Sequence, residues 1–324
     1  MKQKLLELLE DCRDRYISGA ALARELSVSR NTIWKAIEAL RAEGYGISAR
    51  TNKGYCLEKS GDILSVAGIT RHIKTKGVFR FDVRNAVSST NDELRELAIR
   101  GIPEGYVLVA DGQTEGKGRM GRGFHSPAGH GAYFSLLLRP GAIGENVSLI
   151  TSAAAVASAR AIEQVVGVHV GIKWVNDLFT DGKKVCGILT EATYCMEGGL
   201  VESVVLGIGI NITQPVTGFP DDIKDVATAL TDRTEGKENE RCRLIAATLD
   251  NFWIYYQNLS ARCFLDEYIS RSIVLGQDIN VLSGGVKTPA HALEIDDDCG
   301  LVVRYSNGMI ATLSAGEVSV REVR

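Results

Sequence analysis

Residues 116–121 read Gly-Lys-Gly-Arg-Met-Gly, a G-x-G-x-x-G spacing. In a dinucleotide fold that turn leaves a strand, opens a helix and precedes an acidic residue by about 20 positions. The strand is present, since Tyr106–Ala110 is a compact apolar run. The helix is not, because Pro127 and the glycines at 121, 123, 129 and 131 cannot propagate one. A Walker A loop fails as well: Gly112 to Gly116 is one residue short, and Lys117 is followed by Gly118 rather than Ser or Thr. What remains is a flexible loop over 111–123 holding five glycines and the cations Lys117, Arg119 and Arg122. Glycines allow close approach and the cations favour an anionic ligand. A solvated basic loop is the plain alternative.

The 324 residues leave room for two or three domains, and 45% hydrophobic with 24% charged residues is ordinary globular composition. A net charge of −3 argues against a chain built mainly to coat nucleic acid. The charge is uneven, however: residues 1–60 hold 11 Lys/Arg against 8 Asp/Glu, a net of +3, which leaves −6 for the rest. Seven scattered cysteines form no C-x-x-C, which favours reduced thiols over a disulfide framework or zinc site. With no signal peptide and no membrane-length apolar run, a cytoplasmic protein without a membrane partner is expected.

Residues 1–60 predict a winged helix-turn-helix. Amphipathic spacing marks a helix over Lys2–Arg15, a short one over Gly19–Leu26, and a third over Arg30–Glu43 ended by Gly44. Two β-like stretches, Gly46–Arg50 and Gly54–Leu57, form the wing. Ile33, Ile37 and Leu40 share the buried face of the third helix. Arg30, Asn31, Trp34 and Lys35, with Arg50 and Lys53 of the wing, form a polar face suited to operator DNA. A protein-interaction module of the same shape is the competing reading.

A short connection, Ser60–Val66, leads to a central mixed α/β domain, residues 67–271. Helices are expected over Asp92–Arg100, with Thr90–Glu93 as a capping box, over Thr151–Val166, and over Glu238–Arg271. Val175–Ile188 reads as strands about the turn Asp181-Gly182-Lys183, and Ser203–Ile212 as a buried strand. Residues 272–324 are short strands separated by Ser283–Gly285, Asp296–Asp298 and Ser306–Gly308, read as a small SH3-like β-barrel. The expected class is therefore an α+β multidomain protein.

Four segments stand out together: Ser88–Asn91, the loop GQTEGKGRMGR, Lys173–Asp177 with Gly182–Gly187, and Gly207–Asn211. With the winged helix and final strands, they resemble the bifunctional bacterial biotin–protein ligases that also repress biotin synthesis genes. The resemblance runs over nearly the whole chain. It implies that biotin is activated by ATP, with magnesium, to biotinoyl-5'-AMP. Biotin then passes to a lysine on the carrier domain of a carboxylase, and the adenylate acts as corepressor. It further implies that Ser89, Thr90 and Gln113 hold the ureido ring, beside Gly116, Lys117 and Gly118 of the loop. Arg119 and Lys184 would be catalytic, clamping the carboxylate and phosphate, with Gly187 and Gly207 allowing close approach. Arg122, Phe124, Asn176 and Asn211 fall at nucleotide positions, and Asp177 at one suited to magnesium. Thr90 could instead cap its helix, and Asp177 could orient a neighbour. Operator binding implies a ligand-promoted homodimer, with the strand edge Gly187–Tyr194 as interface.

Three departures stand out: Lys117 where the family pattern has arginine, Val175 where it has proline, and Phe124 where it often has tryptophan. A lipoate–protein ligase and a DNA-binding metabolite sensor without catalysis are the alternatives. Retention of Arg119 and Lys184 weighs against the second.

Overall fold

The computed structural model describes residues 1–58, 61–140, 147–194, 201–233, 237–283 and 286–320. Ser60, Cys195, Gly284 and Gly285 lie outside the described residues.

The N-terminal unit consists of α1 (Lys2–Asp11), α2 (Gly19–Glu25), α3 (Arg30–Ala42) and the hairpin β1 (Ile47–Arg50) and β2 (Gly54–Leu57). Ser18 and Ser29 cap α2 and α3, each side chain accepting a backbone N–H at 3.1 Å. Leu5, Leu9, Leu22, Ile33, Ile37 and Leu40 fill its core, so the helical periodicity of the sequence marks the buried stripe. Gly44 ends α3 at φ +94°, the left-handed stop expected there. Gly54 has no alternative: its φ is +103° and a Cβ would lie 1.9 Å from the Ile17 carbonyl oxygen.

The helix α4 (Val66–His72) leads into the central domain. Its mixed sheet runs β3-β4-β5-β9-β8-β7-β6. Here β3 is Arg80–Val87, β4 Tyr106–Gln113, β5 Gly131–Leu138, β6 Gly171–Lys173, β7 Asp177–Thr180, β8 Lys183–Tyr194 and β9 Val201–Asn211. Among the described strands of this sheet only β3 and β4 pair in parallel, joined through α5 (Thr90–Ile99). Alternation along β4 sends Val107 and Val109 to the main core and Leu108 to the α5 side. The main core is closed by α6 (Val147–Val165) and α7 (Glu240–Gln257). Asp181 and Gly182, at φ +48° and +74°, make the tight β7–β8 turn.

Three expectations need correction. The stretch 238–271 is not one helix: α7 ends at Gln257, a 3-10 turn covers Leu259–Ala261, and α8 spans only Leu265–Ser270. Arg262, at φ +51°, breaks the helical path between them. The Thr90 capping box does not form, because α5 begins at Thr90 itself and Ser89 occupies the N-cap without a side-chain bond. Finally, the C-terminal strands β10 (Asp278–Ser283), β11 (Val286–Ile295), β12 (Leu301–Tyr305), β13 (Ile310–Leu313) and β14 (Glu317–Val320) form an antiparallel sheet ordered β13-β12-β11-β10-β14. No ladder joins β13 to β14 among the described residues, so the sheet stays open where a closed barrel was expected. Turn signals mark where strands stop, whereas closure depends on twist and register between the end strands.

Candidate active site

The site is built where β3 passes into α5. Ser89, Thr90 and Asn91 are all buried there. The Thr90 N–H and hydroxyl donate to Gln113 Oε1 at 2.8 and 3.1 Å, and Gln113 Nε2 donates to Ser126 Oγ at 2.9 Å. Thr90 is thus tied to the end of β4 rather than to its own helix. Ser135 Oγ lies 2.6 Å from Asn91 Oδ1 and 2.8 Å from Thr90 Oγ1. Asn91 Nδ2 donates to Glu191 Oε2 at 2.7 Å and to the Leu189 carbonyl at 3.3 Å. Gly207 closes this wall, since a Cβ there would meet Asn91 Oδ1 at 2.1 Å. Gly207→Ala is therefore expected to displace Asn91, costing about 1–3 kcal/mol by overpacking. Thermal unfolding and biotin titration check this; a variant unchanged in both would show that the wall yields freely.

The Gly/Arg segment differs from the flexible loop expected. It is a flap tied by backbone bonds: Gln113 N–H to Ser126 O at 3.0 Å, Phe124 N–H to Gly116 O and Gly118 N–H to Arg122 O, both at 2.7 Å. Gly116 is obligatory, as a Cβ would lie 2.3 Å from the Phe124 carbonyl oxygen. The tip is a 3-10 turn, Arg119–Gly121, with Met120 at φ +56°.

One cavity collects Ser89, Thr90, Gln113, Lys117, Gly118, Arg119, Lys184, Gly187 and Gly207. Gly116 does not line it but packs in the flap backbone against Phe124, Ser126 and Gln113. Arg119 Nη1 donates to Asn176 Oδ1 at 3.1 Å, and Asn176 Nδ2 donates to the Ile188 carbonyl at 2.7 Å. Lys184 Nζ is 2.7 Å from Asp177 Oδ1 and 5.9 Å from the Phe124 ring centroid. Lys117 pairs with Asp92 at 2.5 Å. A second cavity adjoins the first across Phe124 and Lys184 and adds Lys173, Phe179, Asn211 and Phe219. The Phe124 ring rests on the bare backbone of Gly187 and Gly209, where Cβ atoms would come within 3.1 and 2.5 Å of it. Asn211 Nδ2 donates to the Thr228 carbonyl at 3.1 Å.

Charge is concentrated at this junction. Arg122 forms a two-pronged pair with Glu317 of the C-terminal sheet. That hydrogen bonding holds the Glu317 carboxyl below its usual range. Burial pushes the Lys173 ammonium down, opposed by Asp177 and Glu317. Among the described residues no group of three or more His, Cys, Asp or Glu could hold a metal ion.

On the winged helix, Arg30, Asn31, Trp34, Lys35, Arg50 and Lys53 are all exposed. Asn31 and Lys35 lie opposite the buried stripe of α3, Arg30 and Trp34 flank them, and Arg50 and Lys53 sit on the β1–β2 hairpin. Arg50 stacks over the Tyr16 ring at 5.1 Å. These residues are far in sequence from the cavity and belong to a separate surface.

Sequence reasoning gave no role to Asn91, Ser135, Gly209 or Glu317. Asn91 and Gly209 lie inside the quoted motifs, but their partners arise only from strand pairing. Nothing near Glu317 in sequence points to Arg122.

Comparison with known proteins agrees with this architecture. Residues 83–211 match the biotin/lipoate A/B protein ligase family, residues 2–56 an HTH domain, and residues 274–321 the biotin protein ligase C-terminal domain. The chain is 36% identical over 319 residues to the bifunctional ligase/repressor BirA of Bacillus subtilis, covering 97% of each. It is 31% identical over 247 residues to the biotin–[acetyl-CoA-carboxylase] ligase of Mycobacterium tuberculosis, covering 74% of this chain and 88% of that one. The biotin protein ligase of Aquifex aeolicus, solved with biotin and ATP, superposes with a TM-score of 0.63 at 28% identity, over 75% of this chain and 98% of the other. The chain belongs to the family of bifunctional biotin ligase/repressors.

Proposed function

We propose that the two adjoining cavities hold biotin and ATP with the reacting groups meeting at Lys184 and Arg119. As a biotin–protein ligase, the chain joins a biotin carboxylate oxygen to the α-phosphorus of ATP, and the bond to pyrophosphate breaks. The ε-amine of an acceptor lysine on a carboxylase carrier domain then attacks the acyl carbonyl. The amide forms, AMP leaves and the amine loses its proton. The observation that carries this reading is Lys184, which borders both cavities. Two anions must approach there, so fixed cations offset their repulsion and stabilise charge developing in the transition state. Ser89, Thr90 and Gln113 are assigned to the ureido ring, Arg119 to the carboxyl–phosphate linkage, and Phe124, Asn176 and Asn211 to the nucleotide. Arg122 exchanges Glu317 for phosphate.

Magnesium fits as part of the nucleotide substrate rather than as a resident centre. Asp177 is already paired with Lys184, so the chain supplies at most one carboxylate to a cation that phosphates hold. Incubation with biotin, ATP, magnesium and a carrier domain, followed by intact mass, tests the reading. One biotinyl group on the acceptor is expected, and an unmodified acceptor rejects it. Titration with lipoate separates the related ligase class, whose ligand has no ureido ring to use Thr90 and Gln113.

The winged helix makes the chain a DNA-binding repressor with biotinoyl-5'-AMP as corepressor. We assign operator contact to Arg30, Asn31, Trp34, Lys35, Arg50 and Lys53. Lys35→Ala is expected to weaken operator binding and reduce its salt dependence, leaving adenylate synthesis unchanged. Equal operator binding by the variant across a salt series removes Lys35 from this surface. A homodimer promoted by the adenylate would present two half-sites. Gly187 is the last β8 residue paired with β7 and Ile188 is bonded to Asn176, so the part of the stretch beyond Ile188, to Tyr194, offers an edge for a second copy. Sedimentation with and without adenylate checks it, and a monomer under both conditions rejects it.

A further inference from the structure

Arg241 lies in the first turn of α7, away from the reacting groups, and is 5% exposed. Its backbone N–H donates to Asp62 Oδ1 at 3.0 Å and its Nε to Asp62 Oδ2 at 3.1 Å. Nη2 reaches the Asp62 carbonyl, and Nη1 reaches Asp111 Oδ1. Asp62 belongs to the tether between the winged helix and α4, and Asp111 lies on β4 two residues before Gln113. The same strand end therefore grips Thr90 through Gln113 and the tether through Asp111.

The tether is held on its other side too. Asn239 N–H donates to the Gly61 carbonyl at 3.2 Å, and its side chain accepts from Arg13 Nη2 at 3.1 Å. Arg13 is itself forked onto the buried Glu10 of α1. A continuous polar chain thus runs from the root of the ligand flap to the first helix of the DNA-binding unit. The side chains of Arg241 and Asp62 are buried and that of Asp111 is half-buried, so removing one partner costs more than it does for an exposed pair. Such a chain can transmit order, because fixing Asp111 leaves Arg241 one arrangement in which all its donors are satisfied.

We propose that Arg241 is a positioning residue that links flap closure to the placement of the winged helix, through Asp111 on one side and Asp62 on the other. The inference rests on the assignment of the segment between Gln113 and Ser126 as the ligand flap, with Asp111 in β4 outside it. Operator affinity and adenylate affinity are then coupled partly through this bridge, reciprocally in the two directions.

The test is the ratio of operator affinities with and without biotin plus MgATP, measured on the full chain. Asp111→Asn removes the charge while keeping the shape. It is expected to retain adenylate synthesis and adenylate-dependent sedimentation within about twofold, yet to lose about tenfold of the affinity ratio, equivalent to about 1.4 kcal/mol. Asp62→Asn should do the same, and the double variant should lose no more than either alone. An unchanged ratio in Asp111→Asn, or additive losses in the double variant, overturns the proposal. Hydrogen exchange on the unaltered protein supplies a readout that needs no variant: peptides covering residues 61–72 should gain protection on addition of biotin and MgATP, and constant exchange there also overturns it. If the flap assignment itself is wrong, Arg119→Gly will retain adenylate normally, a result separate from all of these.

Discussion

Lys184→Ala is expected to slow pyrophosphate release by about 10²–10³-fold, the usual effect of deleting one preorganised group aimed at developing charge. Biotin affinity should change by less than about tenfold, because Thr90, Gln113 and the Asn91 wall are untouched. The asymmetry follows from placement. The Lys184 ammonium stands between Asp177 at 2.7 Å and the Phe124 ring, at the passage between the two cavities rather than beside Thr90 and Gln113, the proposed ureido contacts. Its main chain is fixed as well, its N–H donating to the Val226 carbonyl and its carbonyl accepting from Thr228 N–H, both at 2.9 Å. The cation is therefore in position before substrate arrives. Stopped-flow pyrophosphate release with parallel biotin calorimetry reads both quantities. A wild-type release rate removes Lys184 from the reacting centre.

Arg119→Gly is expected to change retention as well as synthesis. Its guanidinium already donates to Asn176, which is anchored in turn on the Ile188 carbonyl. Glycine removes this charge-assisted contact and loosens the flap tip. Such bonds contribute about 1.5–3 kcal/mol, so biotinoyl-adenylate should dissociate about 10–100-fold faster. Released anhydride should then label accessible lysines on bystander proteins. Wash-out of preformed adenylate, paired with biotinylation of a non-acceptor protein, measures both effects. A variant that makes adenylate and holds it as long as wild type would contradict the clamping assignment.

Much of the architecture could be read from local pattern because local pattern causes it. The stripe Ile33, Ile37, Leu40 is buried because helical spacing places those residues together, and serines cap the N-termini of α2 and α3. The central motifs mark the cavity wall because glycines there meet side chains at distances no Cβ tolerates. Where reading failed, a partner distant in sequence had taken the group. The Thr90 hydroxyl is used by Gln113, 23 positions away, so no capping box forms. The Arg241 fork spans 130 positions to Asp111, and nothing in the local sequence gave either residue a role. Closure of the final strands was likewise beyond local signals, since turn residues define strand ends and not the twist that would bring β13 against β14.

The hairpin bonding of the flap has a consequence for the free energy of binding. A segment that must fold around its ligand surrenders backbone entropy during binding, about 1–2 kcal/mol for each residue fixed. Here Gly116, Gly118 and Gln113 already exchange backbone bonds with Phe124, Arg122 and Ser126. The flap is therefore a frame hung before anyone enters, with Lys117, Arg119 and Arg122 each held by a partner outside it. Little ordering is left to be drawn from the binding energy of so small a molecule as biotin.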